Sequence, residues 1–110
     1  CYADFSAGFV ERDELTVAQF QSWIDWAKAT GVALDFNPTY FAHSRACSGS
    51  TLSHRDAETR RFWIAHGRCC RAIAAEMSRQ LATPVLHNIW IPDGDKDQPI
   101  DRSGPRERLT

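Results

Sequence analysis

Two runs of polar and aromatic residues could do chemistry. The first follows a short apolar stretch typical of a buried strand, and the second lies at or after another such stretch. Aromatic faces cover the C–H groups of a ligand, while amides and carboxylates bind its hydroxyl groups. Trp90 stands beside a Pro-Asp-Gly turn, where an indole can be either core or pocket wall. The composition predicts a sugar-like ligand bound by members of the following set: Asp35, Asn37, Tyr40 and Phe41 in the first run, and His87, Asn88, Trp90, Asp93 and Asp95 in the second.

Motifs for other chemistries are missing from the sequence. The acidic run at residues 93–97 resembles the start of a calcium loop, but Gln98 stands where such a loop needs glycine and Gly104 where it needs glutamate. The four histidines show neither H-x-x-x-H nor Cys/His metal spacing. There is also no G-x-S-x-G, no P-loop and no G-x-G-x-x-G. We therefore expect no catalytic residue and no metal ligand in this chain.

A helix and a strand precede the first run. Thr16 and Gln19 form a capping-box signature at the start of an amphipathic helix, and Gly31 supplies its stop. Residues 32–36 are mostly apolar and are followed by Asn-Pro, which predicts a buried strand that Pro38 terminates.

The residues between the two runs predict a long loop, residues 37–53, and a long helix. Ordered loops of this length usually serve a function. Ser53 and Asp56 mark the start of the helix. Its apolar stripe consists of Trp63, His66, Cys70, Ile73, Met77 and Leu81. The arginines lie on an arc away from the stripe, which favours a solvated outer face over a phosphate-binding surface: Arg60, Arg61, Arg68, Arg71 and Arg79.

The order of the elements predicts an α/β fold. Residues 85–91 indicate a second buried strand, Pro105 indicates the start of a further helix, and Tyr2 could end a preceding strand. Apolar strands separated by helices imply parallel pairing with right-handed crossovers. Three such strands leave the sheet edges uncovered. We therefore expect residues 1–110 to form about three β/α units of a (β/α)8 TIM barrel, with a doubly wound sheet as the alternative.

Composition limits the class of protein. A chain of 110 residues has room for one domain, and its net charge of −1 offers no general attraction to nucleic acid or an anionic membrane. No window is apolar enough to span a membrane. The four cysteines lack framework spacing, which indicates a reducing compartment and a role as small buried hydrophobes. A start at Cys1 instead of Met, and an end within a starting helix, predict a domain truncated at both ends.

Ordered motifs resemble the bacterial L-rhamnose isomerase family from about residue 16 to the C-terminus. Several are five or more residues long and rare in composition, and all follow the family's order. They are Leu34-Asp-Phe-Asn-Pro38, Phe41-Ala-His43, Thr51-Leu-Ser-His54, Arg61-Phe-Trp-Ile64, Asn88-Ile-Trp-Ile-Pro-Asp-Gly94, Asp101-Arg102 and Pro105-Arg106. The sequence departs from the family pattern at residues 45–49, within the long loop, and at Asp95.

The resemblance implies an aldose–ketose isomerase that interconverts L-rhamnose and L-rhamnulose in rhamnose catabolism. It further implies a TIM barrel, a cytoplasmic homotetramer and a divalent metal, commonly Mn²⁺, whose ligands lie on later strands outside this chain. The 110-residue chain alone is then expected to be inactive. Three residues carry over as sugar-pocket wall: Trp90, Tyr2 on the side that receives the sugar's methyl end, and Phe41, which in the family could reach a neighbouring subunit.

Two other functions remain open at this point. The first is a related barrel isomerase or epimerase that acts on a different sugar. The second is a non-catalytic α/β module that binds a partner through the arginine-rich helix or the long loop.

Overall fold

The chain is mainly helical and divides into two compact units. A computed structural model describes residues 2–94, 101 and 103–110. The first unit comprises Cys1–Pro38 and Ala65–Ile89, and the second comprises Thr39–Ile64 and Trp90–Thr110. The helices are α1 (Gln21–Thr30), α2 (Ala57–Leu81) and α3 (Ser103–Leu109), with short 3-10 helices at Arg12–Glu14, Val17–Phe20 and Ser44–Ala46. The first eight residues of α2 belong to the second unit and the rest to the first.

The predicted strands form only single bridges. Within the described part of the chain, residues 32–36 and 85–91 make no continuous strand, and Tyr2 does not end one. Isolated parallel bridges join Phe36 with His87 in the first unit and Thr39 with Trp90 in the second. The prediction of strands is therefore wrong for these residues, while the predicted parallel direction is confirmed at both bridges.

Pro38 explains why the pairing in the first unit does not continue. The Phe36 N–H donates to the Leu86 carbonyl at 2.9 Å, and the Asn88 N–H donates to the Phe36 carbonyl at 3.1 Å. A parallel ladder next requires an N–H from the residue two places beyond Phe36, directed at the Asn88 carbonyl. That residue is proline, which has no N–H to donate.

The start and stop predicted for the first helix are confirmed. Thr16 and Gln19 form the capping box, with the Thr16 N–H donating to Gln19 Oε1 at 2.9 Å. The capped residues first make the 3-10 helix Val17–Phe20 and then continue as α1. Gly31 ends α1 in the left-handed conformation at φ 69°, where its N–H bonds to the Ala27 carbonyl.

The first unit has an apolar core supplied by both helices. The Phe20 and Phe36 rings meet edge to face with centroids 5.1 Å apart. The predicted α2 stripe is buried from Trp63 to Met77, whereas its last member, Leu81, is only partly buried. The buried cluster consists of Leu15, Phe20, Ile24, Phe36, Cys70, Ile73, Ala74 and Met77.

The start of α2 differs from the prediction. The helix begins at Ala57, and the Asp56 carboxylate accepts hydrogen bonds from the Thr59 N–H at 2.8 Å and the Thr59 hydroxyl at 2.7 Å. Asp56 therefore caps the helix alone. Ser53 does not take part because its hydroxyl donates to Asp93, at 2.6 Å.

Four of the five arginines of α2 form a solvated outer face, as predicted, whereas Arg60 is half-buried and donates to the carbonyls of His54 and Arg55. Arg61, Arg68, Arg71 and Arg79 are exposed, and Arg79 pairs with Glu76 at 2.6 Å. Solvent screens exposed ion pairs of this kind, so the pair adds little to the stability of the fold. Across residues 2–94, 101 and 103–110, no helix combines the length and the apolar character needed to cross a membrane.

Helix α3 begins two residues earlier than Pro105 predicts. Its first residue is Ser103, so Pro105 is the third helical residue and not the first. The Asp101 carboxylate accepts the N–H groups of Ser103 and Gly104, at 3.1 and 2.9 Å, and satisfies donors that the first turn leaves free.

The cysteines differ in exposure. Cys70 is fully buried, and burial raises the pKa of its thiol to about 12. Cys69 is half-buried, with its thiol donating to the Asp13 carbonyl at 3.1 Å, while Cys47 is exposed. The predicted role as a buried hydrophobe thus fits Cys70 and is wrong for Cys47. Cys1 lies outside the described residues.

Candidate functional site

The second unit brings two of the three predicted sugar contacts together. The Phe41 and Trp90 rings lie edge to face, with centroids 5.3 Å apart and planes at 78°. Trp90 is 61% exposed and Phe41 is 39% exposed. A parallel backbone bridge pairs Trp90 with Thr39, two positions before Phe41. This aromatic pair, Phe41 and Trp90, offers open ring faces to a ligand.

A buried aromatic cluster supports the segment that carries Trp90. Tyr40, Phe62 and Trp63 form this cluster, and Ile91 packs against it. The Trp63 indole N–H donates to the Arg45 carbonyl at 3.2 Å, which fixes the middle of the long loop to α2. Trp90 therefore stands between a paired backbone and a packed neighbour, while its own ring remains exposed.

Asp93 ties the end of the long loop to the residues after Trp90. Its carboxylate accepts the Thr51 N–H at 2.8 Å, the Ser53 N–H at 2.7 Å and the Ser53 hydroxyl at 2.6 Å. The Thr51 hydroxyl donates to the other carboxylate oxygen. From α3, the Arg108 Nε–H donates to the Ser53 carbonyl at 2.6 Å. We call the bonds of Asp93 with Thr51 and Ser53 the Asp93 clamp.

The clamp favours the ionised form of Asp93. Burial on its own raises the pKa of this carboxyl group, but the hydrogen bonds from Ser53 and Thr51 outweigh burial and hold the pKa below its ordinary value. The sequence singled out Asp93 but missed its partner Thr51, and assigned Ser53 to a helix cap. The long loop is rich in serine and threonine, which indicates hydrogen-bond donors, but this composition does not identify an acceptor forty residues away.

Asp35 and His87 contact other residues of the first unit beside the backbone bridge. The Asp35 carboxylate accepts the Leu86 N–H at 3.0 Å, beside the Phe36–His87 bridge. The His87 ring stacks on Phe36 with centroids 6.1 Å apart. Burial, helped by the positive charge of Arg71, lowers the pKa of His87 and favours its neutral form.

Several candidates are left without a tested role. Asn37 and Asn88 are exposed in the first unit. Tyr2 is also in the first unit and 87% exposed, and its carbonyl accepts the Trp23 indole N–H at 3.0 Å. Its role in binding a sugar stays a prediction. Asp95 lies outside the described residues.

Comparison with known proteins gives a consistent result over the whole chain. The profile of the family described as L-rhamnose isomerase (RhaA) matches residues 1–110. An L-rhamnose isomerase of Rhodopirellula baltica is 54% identical over 108 residues, covering 98% of this chain and 25% of that protein. One of Salmonella paratyphi B is 50% identical over 100 residues, covering 91% and 24%. This chain belongs to the L-rhamnose isomerase family.

Membership of the L-rhamnose isomerase family confirms the resemblance drawn from the ordered motifs. The chain spans about a quarter of the length of the curated relatives it matches. The motif at residues 88–94 contains Trp90 and Asp93. The motif at residues 51–54 contains Thr51 and Ser53, the two residues that donate to Asp93.

The metal implied by the L-rhamnose isomerase resemblance does not fit the side chains described. Across residues 2–94, 101 and 103–110, no three His, Cys, Asp or Glu side chains are grouped so that they could hold a metal ion. The carboxylate of Asp93, the acidic group nearest the aromatic pair in sequence, is already bonded to Thr51 and Ser53. We therefore assign no metal ligand and no metal-dependent step to these residues.

Proposed function

We propose that this chain supplies part of the sugar-pocket wall of an L-rhamnose isomerase, an enzyme that interconverts L-rhamnose and L-rhamnulose. The observation that carries the proposal is the family match over residues 1–110, with 50–54% identity to two L-rhamnose isomerases. The exposed aromatic pair agrees with it, because a pocket for a neutral sugar needs apolar faces against ring and methyl C–H groups.

Within this proposal the three predicted contacts have different tasks. Trp90 presents its indole to the sugar, and Phe41 holds that indole at a fixed angle while adding apolar surface of its own. Tyr2, which is fully accessible in the first unit, lines the side of the pocket that receives the sugar's methyl end. No proton transfer is assigned to any of the three.

The wider properties of the enzyme belong to the same proposal. We propose that residues 1–110 form about three β/α units of a (β/α)8 barrel, which the two parallel bridges support. We also propose a cytoplasmic homotetramer and a divalent metal, commonly Mn²⁺, held by residues outside this chain. The chemistry that such a metal would supply is stabilisation of negative charge on the sugar oxygens, and no residue of this chain is assigned to hold it.

The test is an isomerase assay on the natural-length protein with L-rhamnose, L-lyxose and L-mannose as competing substrates. We expect L-rhamnulose formation from L-rhamnose at the highest kcat/KM of the three. A higher kcat/KM for another aldose would instead support a related isomerase of different specificity, and no turnover of any aldose would contradict the proposal.

The 110-residue chain alone serves as the matched control for that assay. We expect no L-rhamnulose from it, because a pocket wall without the rest of its site cannot stabilise the developing charge. Turnover by this chain would show that the catalytic groups lie within it, against our assignment.

A further inference from the structure

Both ends of residues 39–53 of the long loop are attached to one short segment, residues 90–93. At the first end, Thr39 pairs with Trp90 through a parallel bridge. At the other end, Thr51 and Ser53 bond to Asp93. The loop is therefore closed by contacts that lie only three residues apart on the partner segment.

The two attachments differ in kind. The bridge at Thr39 is a single backbone pairing, whereas the Asp93 clamp concentrates four donors on one carboxylate. Hydrogen bonds to an ionised group are roughly twice as strong as bonds between neutral groups. Loss of the clamp would remove four of the hydrogen bonds that hold this end of the loop and raise its conformational entropy.

The aromatic pair stands at the first end of this closed loop. Phe41 follows the bridge residue Thr39 by two positions, and its ring contacts Trp90 directly. Phe41 and Trp90 are both exposed, so burial alone does not fix their rings. The neighbouring Tyr40 is buried in the aromatic cluster, and closure of the loop by Asp93 adds a second restraint on the segment that carries Phe41.

We propose that Asp93 is a positioning residue for sugar binding, acting by closing the long loop and so holding Phe41 against Trp90. It contacts no reacting atom. The role rests on the proposed function, since it assumes that the aromatic pair faces the sugar. The chemistry at Asp93 also explains why a carboxylate is needed there: only an acceptor-only group can take four donors without presenting a hydrogen to one of them.

The first measurement is independent of activity. Hydrogen exchange on the natural-length protein compares residues 42–50 in wild type, Asp93→Ala and Asp93→Asn. We expect these amides to exchange about tenfold faster in Asp93→Ala. The Asn variant should lie between the two, because its amide oxygen still accepts N–H donors. Unchanged exchange in Asp93→Ala would overturn the clamp whether or not the protein is an isomerase.

The second measurement separates positioning from general stability. In steady-state assays with L-rhamnose we expect Asp93→Ala to raise KM about tenfold while kcat changes less than about twofold. If that variant does not fold, Thr51→Val and Ser53→Ala each remove one hydroxyl donor and should raise KM in the same direction. Asp25→Asn, at an exposed aspartate of α1, is the control and should leave both constants unchanged.

The two proposals fail in different ways. Wild-type protein without aldose isomerase activity would overturn the proposed function. Active wild-type protein whose Asp93 variants lose kcat and leave KM unchanged, or match wild type in both constants, would overturn the positioning role alone.

Discussion

Trp63 and Trp90 are the same residue type in opposite surroundings. Trp63 is fully buried in the aromatic cluster, whereas Trp90 is 61% exposed in the aromatic pair. Both stand in motifs that resemble the family. Helical periodicity predicts burial for Trp63 but leaves Trp90 open between core and pocket wall, and the exposure of its ring favours the pocket wall.

Truncation of each tryptophan tests this difference. In the natural-length protein we expect Trp90→Ala to lower kcat/KM for L-rhamnose about tenfold and the free energy of unfolding by less than about 1 kcal/mol. Trp63→Ala is the matched control and should cost about 3–5 kcal/mol because it leaves a cavity. Activity assays and urea titrations measure the two effects, and equal loss of stability in both variants would place Trp90 in the core.

The lowered pKa of Asp93 predicts how the clamp responds to pH. Because its pKa is lower in the folded than in the unfolded chain, the clamp's contribution is complete above the unfolded value of about 3.9 and is lost as pH falls through the folded value. Urea unfolding of wild type and Asp93→Asn from pH 7 downward should show their difference shrinking below about pH 4. A difference that stays constant into that range would mean that Asp93 is not ionised in the folded protein.

At the scale of elements, Gly31 ends α1 because it can adopt the left-handed backbone conformation. It ends α1 at φ 69°, and apart from its chain neighbours no described residue has an atom within 4 Å of the position a Cβ would occupy. Substitution is therefore strained by the backbone alone and not by a clash.

We expect Gly31→Ala to lower the free energy of unfolding by about 1 kcal/mol. Gly31→Asn should cost less, because asparagine tolerates the left-handed conformation. Thermal or urea unfolding of the natural-length variants measures both values. An equal loss of unfolding free energy in the Ala and Asn variants would show that the left-handed conformation of residue 31 does not determine the effect of substitution.

Sequence predicted the elements that depend on neighbouring residues and missed those that depend on distant ones. The capping box at Thr16 and the stop at Gly31 are local, and both are confirmed. The start of α2 was misplaced because Ser53, a good capping residue, is bonded instead to Asp93. The strand at residues 32–36 was predicted from apolar character, whereas a continuous ladder also needs an N–H that Pro38 lacks.

The candidate site likewise contains residues that the sequence indicated and residues that it missed. Family motifs indicated Phe41 and Trp90, and the bridge at Thr39 shows how they meet. The clamp donors Thr51 and Ser53 were not predicted as a site, because pairing across forty residues leaves no periodic trace in the chain.

At the scale of the whole molecule, the 110-residue chain exposes apolar side chains along one segment. Leu86 is 66% exposed, Ile89 57% and Trp90 61%. Leu86 and Ile89 belong to the first unit and Trp90 to the second, and apolar side chains exposed in this way favour association with another part of the protein or with another molecule.

We expect the isolated 110-residue chain to self-associate and to bind a hydrophobic dye such as ANS more strongly than the natural-length protein does. Light scattering and dye fluorescence at equal chain concentration measure this. The double variant Leu86→Ser, Ile89→Ser should reduce both signals if this segment is responsible. A monomeric, dye-negative wild-type chain would favour a self-sufficient binding module.

The placement of the Asp93 clamp also sets an order on folding during synthesis. Ser53 and Asp93 are forty residues apart, and the whole of α2 lies between them. At typical translation rates Asp93 is synthesised roughly 2–8 s after Ser53. During that interval the second end of the long loop is untethered, so α2 has time to form first and to bring the carboxylate back toward a loop that is still free to adjust.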